Sequence, residues 1–193
     1  MVYNMDFDFY KTIIRKNLDD YRYNHSLCVA DEAKRLAIRY GADQDSAYLA
    51  GLLHDITKNF SDEEHLNIFC KFDIILSNVE MNSNKLWHSI SGSAYVKNIL
   101  KIDNQEIVSS IRYHTTAKSN MTLFEKLIYI ADFTSSDRTY PDVDIMRNLA
   151  DISLDEAMKY SLKYTINDLV SRNKTVHPDT LNAYNEIIIK TEN

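Results

Sequence analysis

The sequence predicts an all-α fold, and three observations carry that prediction. Glycine and proline are scarce: Gly41, Gly51, Gly92, Pro141 and Pro178 are the full set in 193 residues. That leaves few tight-turn positions and argues against an all-β chain. Apolar residues recur at the three-and-four spacing of a single helix face in segment after segment. Two stretches, SDEE (Ser61 to Glu64) and SLDE (Ser153 to Glu156), carry the serine and the later glutamate of a capping box.

The elements follow in chain order. His25, Val29, Ala33 and Leu36 form the first stripe; Gly41 ends that helix and Asp43 caps the next. The second helix carries Ala47, Ala50, Leu53 and His54, and Ser61 opens a third. His88, Gly92, Tyr95 and Ile99 make another stripe, then Ile107, Ile111 and His114, then Phe124, Ile128 and Asp132. TSSDRTYPDVD (Thr134 to Asp144) reads as a loop. Ser153 begins a helix expected to turn Leu154, Met158, Leu162, Ile166 and Leu169 inward, and HPDT (His177 to Thr180) begins the last one. With no repeat, low-complexity segment or composition shift, residues 1–193 are expected to be one domain with its core over residues 18–190.

Composition narrows the functional classes. Hydrophobic residues make up 45% of the chain, the proportion of an ordinary folded protein. Twenty-eight acids against 22 bases give a net charge of −6, which argues against a protein that coats nucleic acid. Small anions are still accessible to a few local cations. The N-terminus has acids where a secretion signal needs bases, and no window approaches the roughly 18 apolar residues of a membrane span. A cytoplasmic protein with no membrane partner is expected. Cys28 and Cys70 form no pair motif and are expected to be reduced, in the core or half-buried. No stripe marks a dimer face, although a homodimer is compatible with the chain.

The chemistry lies in polar residues on apolar stripes. His25, His54, His88, His114 and Asp132 each share a helical face with core residues, and Asp55 adjoins one. Taken singly, such a histidine is usually a satisfied core residue and such an aspartate a cap or an ion-pair partner. Taken together, six inward polar groups are costly to bury unless something satisfies them, and one or two metal ions would do so. Nitrogen and oxygen donors without cysteine suit iron, manganese, cobalt, nickel or zinc better than a structural zinc cluster. Neighbouring helical residues point about 100° apart. His54 and Asp55 can therefore aim at one centre only near a helix end or in an irregular turn. His65 follows acids and is expected at the surface, while His177 is expected to support the start of the last helix.

A histidine, a distant His-Asp doublet and a late aspartate resemble the pattern of the HD-domain superfamily of metal-dependent phosphohydrolases. Six segments, YRYNHSLCVADEAKRLA, AGLLHDITK, WHSISGSAYV, IRYHTTA, EKLIYIADF and HPDTL, are in order similar to one branch, the YqeK-type symmetrical bis(5′-nucleosyl)-tetraphosphatases. That resemblance implies an all-α bundle with a buried metal site that hydrolyses diadenosine tetraphosphate to two ADP. It implies two divalent ions, with iron first: His25, His54, Asp55 and Asp132 on one, and His88 and His114 on another bridged by Asp55. Paired cations acidify a water for in-line attack on phosphorus.

Cations are needed for the remaining phosphate charge. Lys58 and Arg138 match basic positions of the family, and Arg22 lies one turn before His25. The plainer alternatives are a helix-end cation for Lys58 and surface ion pairs for the two arginines. Thr115 is a candidate phosphate contact or a helix cap. The rival functions are an HD-type phosphohydrolase acting on (p)ppGpp or a (deoxy)nucleotide, and a non-catalytic nucleotide-sensing module.

Overall fold

The computed structural model describes residues 5–192, and every regular element among them is helical. The order is α1 (Phe7–Asn17), α2 (Asp20–Tyr40), α3 (Gln44–Leu53), α4 (Asp62–Lys71), α5 (Asn78–Met81), a 3-10 turn (Asn84–Leu86), α6 (Trp87–Asn98), α7 (Gln105–Tyr113), α8 (Leu123–Thr134), α9 (Val143–Ile152), α10 (Leu154–Ser171) and α11 (Pro178–Glu192). The predicted class is the observed one. None of the described helices is long and apolar enough to cross a membrane.

Caps fix most of the boundaries. Asp19 and Asp43 accept from backbone N–H groups at the starts of α2 and α3, and Gly41 closes α2 at φ 74°. The box predicted at Ser61 and Glu64 is fully formed. The one at Ser153 is half formed: Ser153 accepts from the Glu156 N–H, but its own backbone N–H is bonded to the Leu149 carbonyl at the end of α9 and Glu156 does not reciprocate. The predicted loop is shorter than expected, because Thr134 still belongs to α8 and Val143 already belongs to α9. Of the expected inward residues, Ile99 is exposed, and Ile166 and Leu169 in the C-terminal part of α10 are half-buried. Cys28 is half-buried and free; Cys70 is free too but exposed, since α4 turns Ile68 and Phe69 inward instead.

The arrangement that positions the site is the packing of α2, α3, α7 and α8, with α6 laid on α7. Helices α2 and α3 both bury small residues completely, Ala30, Ala33 and Ala37 on α2 and Ala47 and Ala50 on α3. Gly51 sits where the helices are closest. A Cβ there would lie 2.8 Å from the Ala30 Cα and 2.9 Å from the Val29 carbonyl oxygen. The end of α3, with His54 and Asp55, is thereby brought against the turn of α2 that carries His25.

Candidate metal centre

Each predicted ligand sits at a place where its helix can deliver it. α3 stops at Leu53, and the chain continues in i→i+3 turns, with Ile56 N–H bonded to Leu53 O and Lys58 N–H to Asp55 O. This tightening replaces the α-helical progression, so His54 and Asp55 reach one centre from adjacent positions. α7 ends the same way, one residue before His114. In both cases the ring Nδ1 donates to the carbonyl three residues back: His54 to Gly51 at 2.7 Å and His114 to Ile111 at 2.8 Å. Those bonds satisfy otherwise unpaired helix-end carbonyls. With Nδ1 carrying the donated proton, Nε2 of a ring that holds one proton keeps its lone pair.

The lone pairs face further acceptors. His54 Nε2 lies 3.6 Å from Asp55 Oδ2 and 3.9 Å from Asp132 Oδ1. His114 Nε2 lies 3.5 Å from Asp55 Oδ1 and 3.2 Å from His88 Nε2, and His88 Nε2 is itself 3.2 Å from Asp55 Oδ1. His54 Nε2 and Asp55 Oδ1 are fully enclosed and make no well-formed hydrogen bond. Buried acceptors converging on acceptors is a costly arrangement that a cation relieves. Three ligand groups are close enough to hold an ion: His25 with His54 and Asp55; His54 with His114 and Asp132; and Asp55 with His88 and His114. The donor set and the geometry therefore fit metal binding.

The electrostatics agree. Burial lowers the His54 pKa to about 4 and pushes His88 well below the usual histidine value, so both rings are neutral near pH 7. Burial alone would raise the Asp55 and Asp132 carboxyls. His54, Lys58 and His88 outweigh it at Asp55, and Arg138, His25 and His54 outweigh it at Asp132, so both are held well below the usual range. For His25, burial is the largest single influence and lowers the pKa, but the bond to Asp132 together with the charges of Asp132 and Asp137 outweighs it, and the pKa is raised.

The three predicted cations all reach the cluster. Arg22 Nη1 lies 3.3 Å from Asp55 Oδ2, and Lys58 Nζ lies 2.9 Å from His88 Nε2 and 3.6 Å from Asp55 Oδ1. Arg138 bonds both the carboxylate and the backbone carbonyl of Asp132 and comes within 3.2 Å of His25 Nε2. The ion pairs of Arg22 and Arg138 are thus made with two ligand candidates, Asp55 and Asp132. Thr115 stands apart: its hydroxyl donates to Ser89 Oγ at 3.1 Å. Gly92 has only ordinary contacts around it, the nearest 3.4 Å from an added Cβ, which is plain helix packing.

Two residues take places that sequence reasoning did not give them. Asp137 Oδ2 is 2.7 Å from His25 Nδ1, and its other oxygen accepts from Ser135 Oγ at 2.8 Å. His65 is buried, not exposed, with Nδ1 2.8 Å from Ser91 Oγ. Ser91 Oγ is 2.8 Å from Thr57 Oγ1, whose hydroxyl donates to the His88 carbonyl, so the chain of bonds ends on the backbone of a ligand candidate.

The HD domain family model matches residues 22–137, a span that holds all six ligand candidates. The chain belongs to the HD-domain family. This HD-domain chain is 33% identical to a symmetrical bis(5′-nucleosyl)-tetraphosphatase of Halalkalibacterium halodurans over 92% of its own length and 95% of the relative's. It is 35% identical to the protein of the same name from Bacillus subtilis, over 91% and 94%. Among solved structures, a predicted HD superfamily hydrolase involved in NAD metabolism from Clostridium acetobutylicum superposes with a TM-score of 0.93 at 33% identity, covering 96% of this chain and 98% of that one.

Proposed function

We propose that this HD-domain enzyme is a symmetrical bis(5′-nucleosyl)-tetraphosphatase that converts diadenosine tetraphosphate to two ADP at a dinuclear metal centre. The observation that carries the two-metal part is the split use of Asp55. Its Oδ2 faces His54 and Arg22, while its Oδ1 faces His88, His114 and Lys58. A carboxylate set between two ligand groups in this way suits a bridge. His25, His54, Asp55 and Asp132 would then hold one ion, and His88, His114 and the second oxygen of Asp55 the other. The nitrogen and oxygen donors suit iron, manganese, cobalt, nickel or zinc, and the resemblance to the tetraphosphatase branch puts iron first. The substrate assignment is supported by the two relatives, which carry that name over nearly their whole lengths.

A bound pair supplies a water of lowered pKa as nucleophile and neutralises charge on the attacked phosphoryl group. The chain's own groups bind and orient. Arg138 stands at the His25–Asp132 end of the cluster, Lys58 at the His88 end, and Arg22 beside Asp55. Cations on both sides suit a tetraphosphate whose charge continues on both sides of the central bond, and a guanidinium matches two phosphate oxygens at once. The same reading treats residues 18–190 as one HD-type domain, since α10 packs on α8, which bears Asp132.

Chromatography of the products after anaerobic purification and metal analysis tests the assignment. ADP alone is expected from diadenosine tetraphosphate. A mixture of ATP and AMP would mean asymmetrical attack and overturn it, and turnover confined to (p)ppGpp or deoxynucleotides would move the chain to the rival phosphohydrolase class.

A further inference from the structure

Helix α8 carries Asp132 and runs out at Thr134, where the carbonyls of a last turn ordinarily lack helical partners. Here each has a partner. The Ala131 carbonyl accepts from the Ser135 N–H at 3.0 Å, that of Asp132 from Arg138 Nε at 2.7 Å, that of Phe133 from the Tyr140 hydroxyl at 3.0 Å and that of Thr134 from Arg147 Nε at 3.1 Å. Of these donors, Arg147 comes from another helix. It lies in α9, whose Met146 and Ala150 are fully buried, so a packed element delivers it.

Arg147 does more than cap α8. Residues 135–138 form a turn closed by the Arg138 N–H on the Ser135 carbonyl at 3.0 Å. Arg147 Nη2 donates to both end carbonyls of that turn, to Ser135 at 2.9 Å and to Arg138 at 3.0 Å. Inside the turn lies Asp137. Its Oδ1 accepts from Ser135 Oγ at 2.8 Å, and its Oδ2 meets His25 Nδ1 at 2.7 Å. The turn belongs to neither α8 nor α9, so side chains must fix its shape. One planar guanidinium spans three carbonyls here, which a single ammonium could not do. The remaining nitrogen, Nη1, pairs with Asp144, an exposed carboxylate on the same helix.

We infer that Arg147 is a positioning residue of the metal centre: it clamps the 135–138 turn and so holds the Asp137 carboxylate against His25. Metal held by His25 then depends on a side chain whose own hydrogen bonds all end outside the six ligand candidates. The inference rests on the metal-centre reading and not on the choice of substrate.

Anaerobic titration of the metal-free full chain with ferrous ion tests it as a double-mutant cycle. Arg147→Met keeps an apolar stem and removes every donor. It is expected to weaken ferrous binding about tenfold, the lower end of the range for groups that orient a metal ligand. In an Asp137→Ala background the same substitution should change the affinity by less than about twofold, because the group through which Arg147 acts is gone. A plain support of the fold would add its effect in both backgrounds, so an equal loss in both overturns the inference. Wild-type affinity in Arg147→Met, or in Asp137→Ala by itself, overturns it as well. Arg147→Lys separates geometry from charge: one ammonium cannot reproduce the fork, and binding should stay about tenfold weaker than wild type. Wild-type affinity in Arg147→Lys would make a cation at the end of α8 sufficient and overturn the clamp. If Arg147→Met does not fold, Arg147→Lys carries the cycle in both backgrounds. No ferrous uptake by the wild type overturns the metal-centre reading, and the inference falls with it.

Discussion

His25 has a carboxylate on each ring nitrogen, Asp137 on Nδ1 and Asp132 on Nε2, and the two have different uses. A metal-ligating histidine commonly donates its other N–H to a carboxylate, which fixes the tautomer and makes the ligating nitrogen more basic. Asp137 is placed for that task, with Ser135 holding its second oxygen. Asp137→Ala is expected to lower metal affinity by about 10–100-fold, measured by titration of metal-free protein. Affinity equal to wild type would reduce the His25–Asp137 bond to a fold contact. Asp137 was not legible in the sequence because it lies in a loop, where no periodicity singles it out. The six ligand candidates were legible because each rides or adjoins an apolar stripe, where a charged or imidazole group needs a reason. His65 was misread for the opposite cause: the acids around it marked a surface, while its real companions are Ile68 and Phe69 on the buried face of α4.

At the level of elements, the site depends on how closely α3 approaches α2. Gly51 permits that approach, and its carbonyl also anchors the His54 ring. Gly51→Ala drives a Cβ into the backbone of α2, which cannot yield as a flexible side chain would. A loss of about 1–3 kcal/mol is expected, the usual scale of overpacking, read as a lower melting temperature together with weakened metal binding. A variant as stable as wild type would contradict the described α2–α3 contact. The sequence showed α2, α3, α6, α7 and α8 well, because each has a long stripe, and it required the His-Asp doublet to lie near a helix end or in an irregular turn; it lies in the tightened turns just past the end of α3. It did not show α9, whose first turn follows Pro141 and whose cap residue, Asp142, has φ 70° and makes no side-chain capping bond. Nor did it show α1, which lies before the expected core and buries only Ile14 fully.

Across the whole molecule, the six ligand candidates come from α2, the end of α3, the start of α6, the end of α7 and α8, so bound metal would tie five elements together. Binding to the folded state alone stabilises it, by about 2.7 kcal/mol when free metal is a hundredfold above Kd. Chelation should therefore lower the melting temperature by several degrees and readdition should restore it; an unchanged melting curve would mean that the site is unloaded or uncoupled from folding. The central claim is that two ions share Asp55, and metal content and turnover measured side by side for three alanine variants test it most directly. Asp55→Ala should lose most of its metal and nearly all activity, because it removes a ligand from both ions. His88→Ala and His114→Ala should each keep about half the metal yet lose at least about a hundredfold in turnover, the scale of removing one strong electrostatic stabiliser. Full metal content with near-normal turnover in both histidine variants would make His88 and His114 ordinary core residues and contradict the two-metal centre.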